Sequence, residues 1–170
     1  HPVTTELEAL RSQIRTVVDQ VIASKMNFIV IYPNNDIGTD IILDEYSRLE
    51  ELPQIRIYPS MRFEYFLTSL KNAQFIMGNS STGVREAPHF GVPSIDFGTR
   101  QHNRVKCDTV LNVLIEPDAI KQALFEASIM NKRASQPFGN GGSDEKFHTI
   151  VKRSTFWAVG VQKSFVDQVS

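Results

Sequence analysis

The chain has few of the residues that would place it in several common classes of protein. Its 170 residues include a single cysteine, Cys107, which excludes an internal disulfide and a cysteine-based zinc site. Positive charge is not in excess, because the chain has 18 Lys and Arg residues and 19 Asp and Glu residues. The net charge of −1 provides no basic stripe for nucleic acid, so any anion has to be held by a local site.

Long apolar runs are also missing. No segment approaches the length of a membrane span, and the first residues lack the basic and apolar parts of a signal peptide. We therefore expect a chain that binds neither membrane nor nucleic acid and works in a reducing, cytoplasmic setting. The sequence starts at His1 without an initiator Met, which we interpret as the sign of a piece of a longer polypeptide.

What is present is typical of a folded domain, with 41% hydrophobic and 22% charged residues. Short β-branched or aromatic runs alternate with segments of helical periodicity, and Thr5 with Glu8 forms a capping box at the first helix. Strands are predicted at residues 27–32, 55–58, 74–77, 93–97 and 110–113. Helices are predicted at residues 5–24, 40–52 and 63–73, after residue 81, and at 117–128, 144–152 and 156–169. This alternation indicates a Rossmann-like α/β domain, a parallel sheet with helices on both faces.

The segment at residues 78–86, Gly-Asn-Ser-Ser-Thr-Gly-Val-Arg-Glu, is the strongest candidate for a site. It follows a predicted strand, and ligands of parallel sheets lie at the carboxyl ends of strands. A helix N-terminus and the hydroxyls of Ser80 and Ser81 suit a phosphate. Gly83 and Glu86 would share one helical face, with space at the glycine and a carboxylate for a ribose diol. The alternative is a plain N-cap cluster with a packing glycine and a solvated glutamate.

A second polar loop, residues 98–104, follows another predicted strand. Arg100, Gln101 and Arg104 make a possible anion clamp, because arginine grips phosphate with a fork of donors. The alternative is an ordinary solvated loop, and His102 is more easily interpreted as a bystander. Both loops are expected at the same edge of the sheet.

Four segments resemble, in order, successive motifs of the UDP-N-acetylglucosamine 2-epimerase family. They are His-Pro-Val-Thr-Thr-Glu at residues 1–6, Phe-Glu-Tyr-Phe at 63–66, the segment at 78–86, and Gly-Thr-Arg-Gln at 98–101. The resemblance runs from residue 1 to about residue 141 and is strongest with the hydrolysing branch, found in sialic acid and related nonulosonic acid pathways. Without it, His1 is better explained as a tag remnant or a frayed terminus.

The resemblance implies roles for individual residues. Family members have two Rossmann-like domains facing each other across a cleft, a glycosyltransferase-like architecture, and residues 1–170 correspond to the C-terminal, nucleotide-binding domain. His1 matches a histidine that lines the cleft near the diphosphate, which makes it native sequence. The implied UDP-binding residues are Met61 at uracil through its backbone, Ser80 and Ser81 at the diphosphate, Gly83, Glu86 at ribose, and Arg100 on the phosphate side.

The implied reaction eliminates UDP from a UDP-linked N-acetylated amino sugar with loss of the C2 proton, and then adds water with inversion at C2. The products are UDP and N-acetylmannosamine or a related sugar, and neither a metal nor another cofactor is required. The acid and base for the C2 proton belong to the N-terminal domain of the same polypeptide. We therefore expect this chain alone to be inactive, and the family implies a homo-oligomer.

Two other functions stay open on the sequence. UDP-sugar glycosyltransferases share the two-domain architecture and the carboxylate on ribose, and a nucleotide-binding module without chemistry would need the same site. The Gly-Thr-Arg-Gln loop and the opening motif favour the epimerase. The tail at residues 156–170 carries no recognisable motif, and its apolar side chains predict packing on the other domain or a partner chain.

Overall fold

The structure, a computed structural model, describes residues 1–2, 7–101, 103–158 and 160. The chain divides into two compact units, residues 1–138 and 139–170. The capping box at Thr5, the bystander role of His102 and most of the last predicted helix lie outside the described residues. Among the described residues, no helix is both long and apolar enough to cross a membrane.

Strands and helices alternate along the first unit, as the sequence predicts. The described strands are β1 (Phe28–Ile31), β2 (Ile55–Tyr58), β3 (Ile76–Gly78), β4 (Ser94–Phe97) and β5 (Val110–Val113). Its helices are α1 (Leu7–Ser24), α2 (Thr39–Tyr46), α3 (Phe63–Asn72), α4 (Glu86–Phe90) and α5 (Pro117–Ile129). Each predicted strand has its counterpart within two residues at either end, because β-branched and aromatic runs bounded by turn residues are a strong local signal.

The described strands pair in parallel, but they form two sheets instead of the single sheet that the sequence predicts. β1 pairs with β2, with Phe28 opposite Ile55, and β4 lies between β3 and β5 with Ser94 opposite both Ile76 and Val110. Between β1 and β3 the contact is made by side chains. The ring of Phe28 meets that of Phe75, next to β3, edge to face with centroids 6.1 Å apart.

Helices cover both faces of these sheets. On one face α1 packs against α2 and α5, and Ile120 and Leu124 of α5 join Ile95 and Phe97 of β4 in a buried cluster. On the other face α3 packs against α4 around the buried side chain of Leu70. The predicted α/β fold, with parallel strands between layers of helix, is confirmed.

Two predicted helices are shorter than expected. The helix predicted at residues 40–52 ends at Tyr46 and continues as a 3₁₀ helix, Ser47–Leu49. The helix predicted after residue 81 is divided into a 3₁₀ helix, Ser81–Gly83, and α4. Arg85 between them has φ −106° and ψ −67°, outside regular helical geometry. The prediction that Gly83 and Glu86 share one helical face is therefore wrong.

The second unit contains α6 (Ser143–Val151) and α7 (Ser154–Trp157). The indole N–H of Trp157 donates to the Val151 carbonyl at 2.7 Å, and the Phe156 and Trp157 rings meet edge to face at 5.0 Å. Trp157 is nevertheless 72% exposed, and Phe147 of α6 is 66% exposed. The packing predicted for this apolar tail stays a prediction.

Candidate functional site

The two candidate loops leave the same edge of one sheet. β3 ends at Gly78 with φ 142°, and β4 is followed by Gly98 with φ 71°. Both angles lie in the region that favours glycine, so the two glycines allow the chain to turn sharply at these points. Because β3 and β4 are parallel neighbours, the residues after each glycine emerge side by side at the carboxyl edge, where ligands of α/β proteins bind.

Asn79 holds the start of the chain at this edge. Its Oδ1 accepts a hydrogen bond from the α-amino group of His1 at 2.8 Å, and its Nδ2 donates to the His1 carbonyl at 2.8 Å. The imidazole is held separately, because the backbone N–H of Asn34 donates to His1 Nδ1 at 3.1 Å. His1 is thus fixed between the loop after β1 and the loop after β3.

Gln101 connects the second loop to the first. Its Nε2 donates to the carbonyl of Asn79 at 2.9 Å, and the side chain is buried, with 4% of the residue exposed. Its Oε1 is buried without a hydrogen-bond partner among the described residues. The loops after β3 and β4 are therefore joined by a hydrogen bond at Asn79.

A cleft of about 950 Å³ opens between β1 and β3. His1, Met61, Asn79 and Ser80 line it, together with side chains from both strands. The structure thus brings three of the predicted site residues, His1, Met61 and Ser80, into one cavity. The other four predicted residues, Ser81, Gly83, Glu86 and Arg100, are not among its lining residues.

Several backbone N–H groups in the turn after β3 donate hydrogen bonds to carbonyls of the same turn. The N–H groups of Gly83, Val84 and Arg85 donate to the carbonyls of Ser80 or Ser81 at 2.9 to 3.1 Å. Ser80 Oγ accepts the N–H of Thr82 at 3.4 Å, which is a long hydrogen bond. These N–H groups are not free for a phosphate, so an anion site here depends more on side chains than the sequence predicts.

Gly83 is required by close packing. It is buried, and a Cβ added to it would lie 2.5 Å from Oγ of Ser94 on β4. The missing side chain thus lets the 3₁₀ helix approach the sheet. The contact predicted between Gly83 and a nucleotide stays a prediction.

Two charged groups at the site contain buried atoms without partners among the described residues. They are Oε2 of Glu86, at the start of α4, and Nη1 of Arg100. Buried polar atoms in folded proteins nearly always have a hydrogen-bond partner, so such atoms are candidates for contact with a ligand.

Sequence reasoning missed the most connected residue of the site. Asn79 was expected only as part of a polar turn, and Gln101 as one member of an anion clamp. A polar residue directly after a strand-ending glycine was the signal in the sequence that could have indicated Asn79, but its partner His1 is 78 positions away.

The described residues contain no group of three or more His, Cys, Asp or Glu side chains that could hold a metal ion.

The fold and the site define an α/β domain with a cleft that runs between β1 and β3 and reaches Asn79 and Ser80 at the carboxyl end of β3. A sequence model of the family described as UDP-N-acetylglucosamine 2-epimerase matches residues 1–152. The chain belongs to this family.

Curated relatives agree with this assignment. A UDP-N-acetylglucosamine 2-epimerase of Neisseria meningitidis serogroup B is 41% identical over 171 residues, which cover 98% of the chain and 45% of the relative. A UDP-N,N'-diacetylbacillosamine 2-epimerase (hydrolyzing) of Legionella pneumophila is 30% identical over 155 residues, covering 89% of the chain and 41% of the relative. The chain therefore spans less than half the length of these relatives.

A solved structure shares the fold. The UDP-GlcNAc 2-epimerase of Methanocaldococcus jannaschii, in complex with UDP-GlcNAc and UDP, superposes with a TM-score of 0.67 at 22% identity. The superposition covers 82% of this chain and 40% of that one. At this identity the likeness establishes the arrangement of strands and helices.

Proposed function

We propose that the chain binds the UDP part of a UDP-linked N-acetylated amino sugar, as the C-terminal half of a hydrolysing UDP-N-acetylglucosamine 2-epimerase. The observation that carries this proposal is the single cleft that contains His1, Met61 and Ser80 in a member of the family. Its volume of about 950 Å³ lies within the usual range of ligand pockets, about 300–1,000 Å³. It can therefore hold a nucleotide diphosphate.

We assign the polar groups in the cleft, and those beside it after β3 and β4, to the parts of UDP. Ser81, Glu86 and Arg100 belong to the second group, because they do not line the cleft itself. The diphosphate would lie at Ser80, Ser81 and Arg100, since a guanidinium N–H without a partner is a strong donor to a phosphate oxygen. The ribose would lie at Glu86, where the buried Oε2 lacks a donor and a sugar hydroxyl supplies one. Uracil would lie towards Met61, at another part of the cleft wall.

In the proposed reaction, this half of the enzyme stabilises the leaving group. Elimination breaks the bond between the sugar C1 and the diphosphate oxygen, and the C2 proton is lost. Negative charge then grows on the departing diphosphate, so donors placed at that oxygen act more strongly in the transition state than in the ground state. Arg100 and His1 are the groups we assign to this task. Water then adds to the unsaturated sugar with inversion at C2, releasing the free sugar.

The proton chemistry lies on a second domain of the same polypeptide in this proposal. The relatives are more than twice as long as the part that matches, which leaves room for that domain. We expect the 170-residue chain alone to release no UDP and no N-acetylmannosamine from UDP-N-acetylglucosamine. We also expect a homo-oligomer, formed mainly through the other domain.

The family assignment favours an epimerase over a UDP-sugar glycosyltransferase. The names of the relatives also suggest two candidate sugars. One relative is named for UDP-N-acetylglucosamine and another for UDP-N,N'-diacetylbacillosamine. A third, from Escherichia coli, is 30% identical and named as a polysialic acid biosynthesis protein. We place the chain with the N-acetylglucosamine enzymes, because the relative of that name shares the larger identity, 41% against 30%.

Isothermal titration calorimetry with UDP tests the binding site. Arg100→Ala and Glu86→Gln should each weaken UDP binding about tenfold or more, because a charged hydrogen-bonding group is lost at each position. Arg15→Ala is the control, since Arg15 is exposed on α1 and is not among the lining residues of the cleft, and it should bind UDP like the wild type.

The choice of ligand and the activity assay separate the alternatives. CDP should bind more weakly than UDP if Met61 lies at the base. Unchanged UDP binding in both Arg100→Ala and Glu86→Gln would contradict the site. Turnover of UDP-N-acetylglucosamine by the isolated chain would contradict the division of labour between two domains. If the chain binds UDP but a longer natural polypeptide that contains it is inactive, a nucleotide-binding module without catalytic activity is favoured.

A further inference from the structure

We propose that Asn79 is a positioning residue, which fixes His1 so that its ring presents a neutral Nε2–H donor to the ligand. This inference rests on the proposed function for the identity of the ligand, a diphosphate oxygen. The geometry of the contact itself does not depend on that function. Asn79 and His1 lie 78 positions apart, so their contact has to be built by the fold.

The clamp on the backbone of His1 has two hydrogen bonds of opposite direction. Asn79 Nδ2 donates to the His1 carbonyl, and Asn79 Oδ1 accepts from the His1 α-amino group, each at 2.8 Å. In a longer polypeptide the second donor would be the peptide N–H of His1. Only a carboxamide supplies an acceptor and a donor side by side in this way. Aspartate would keep the acceptor but would place a negative oxygen against the His1 carbonyl, whereas alanine would remove both contacts.

Asn79 is itself held in place. Its backbone carbonyl accepts the Nε2–H of Gln101 at 2.9 Å, and Gln101 is buried. The carboxamide therefore projects from a loop that is tied to the neighbouring loop. A side chain on such a support can determine where another residue lies, since little freedom remains in the support itself.

The state of the ring follows from the contact at Nδ1. Because Nδ1 accepts the N–H of Asn34 at 3.1 Å, the neutral ring carries its proton on Nε2. Protonation at Nδ1 would place two N–H groups against each other and would break this contact. The nitrogen left for a ligand in the cleft is Nε2, and it is a donor. His1 is therefore suited to stabilise a phosphate oxygen and unsuited to remove the C2 proton through Nε2.

Nuclear magnetic resonance of the ¹⁵N-labelled chain without ligand tests the positioning. Long-range ¹H–¹⁵N spectra report which ring nitrogen carries the proton, and His1→Gln identifies the His1 signals among those of the four histidines. We expect one neutral tautomer, protonated at Nε2, in the wild type and a mixture of tautomers in Asn79→Ala. Asn112→Ala is the control, since Asn112 is exposed on β5, and it should leave the His1 signals unchanged.

A double-mutant cycle with UDP binding tests whether Asn79 acts through His1. Asn79→Ala should weaken UDP binding about tenfold in the wild type, and much less when His1 is already Gln, because the residue that it positions is gone. Equal losses in both backgrounds would overturn the proposal even if UDP binds. A mixture of tautomers in the wild type, or a His1 ring unaffected by Asn79→Ala, would also overturn it. If the wild type does not bind UDP, the proposed function is contradicted. The positioning role of Asn79 is then tested by the nuclear magnetic resonance spectra alone.

Discussion

Replacing Gly83 with alanine tests the close approach of the 3₁₀ helix to β4. The new Cβ would lie 2.5 Å from Ser94 Oγ, roughly 1 Å closer than the ordinary contact distance of about 3.5 Å. Ser94 is 1% exposed on the middle strand of its sheet, so neither atom can move towards solvent. The φ angle of Gly83 is not in the left-handed region, and the backbone itself accepts alanine.

The cost of this contact follows from core packing. Adding a methyl group to a well-packed site usually costs about 1–3 kcal/mol, and we expect Gly83→Ala to lower the free energy of unfolding by that amount. Urea unfolding followed by circular dichroism measures it. Ser94→Ala removes Oγ and leaves Ser94 Cβ at 3.8 Å, an ordinary contact. The double variant Gly83→Ala with Ser94→Ala should therefore lose much less stability than the sum of the single changes.

The control is Gly160→Ala, which has no left-handed φ and, among the residues that the structure describes, no atom within 4 Å of the added Cβ. It should change the stability by less than about 0.5 kcal/mol. The reasoning would be refuted if Gly83→Ala were as stable as the wild type, or if it cost the same with and without the Ser94 hydroxyl.

Two further predictions concern the core and the single thiol. Ile95→Ala should cost about 2–5 kcal/mol in urea unfolding, because Ile95 is fully buried, whereas Ile129→Ala, at a residue 65% exposed, should cost less than about 0.5 kcal/mol. Burial raises the pKa of the Cys107 thiol, but hydrogen bonds from Ser135 and Thr109 outweigh it and lower that pKa overall. Ser135→Ala should therefore raise the pKa and shift the pH profile of iodoacetamide alkylation upward, and an unchanged profile would contradict this.

Much of the fold could be predicted because it depends on local pattern. The runs that became β1 and β2 are short, apolar and closed by turn residues, and their positions were predicted within a residue. Gly78 at the end of β3 and Gly98 after β4 also marked, in the sequence, two loops that leave the same edge of the sheet in the structure. Where packing between distant segments decided the outcome, the pattern was insufficient. The helix predicted after residue 81 is divided in the structure, and its Gly83 lies against Ser94 of β4, a contact that the local pattern does not contain.

The sequence by itself determined the α/β class, the order of the elements and the family, since periodicity and ordered motifs can be recognised without coordinates. Only the tertiary structure decided that the strands form two sheets with a cleft between them, and that Asn79 holds His1 across 78 positions. The physical reason is that a hydrogen bond or a packing contact between distant residues depends on the position of each after folding. That position is set by the packing of all the elements between them, and no local pattern contains it.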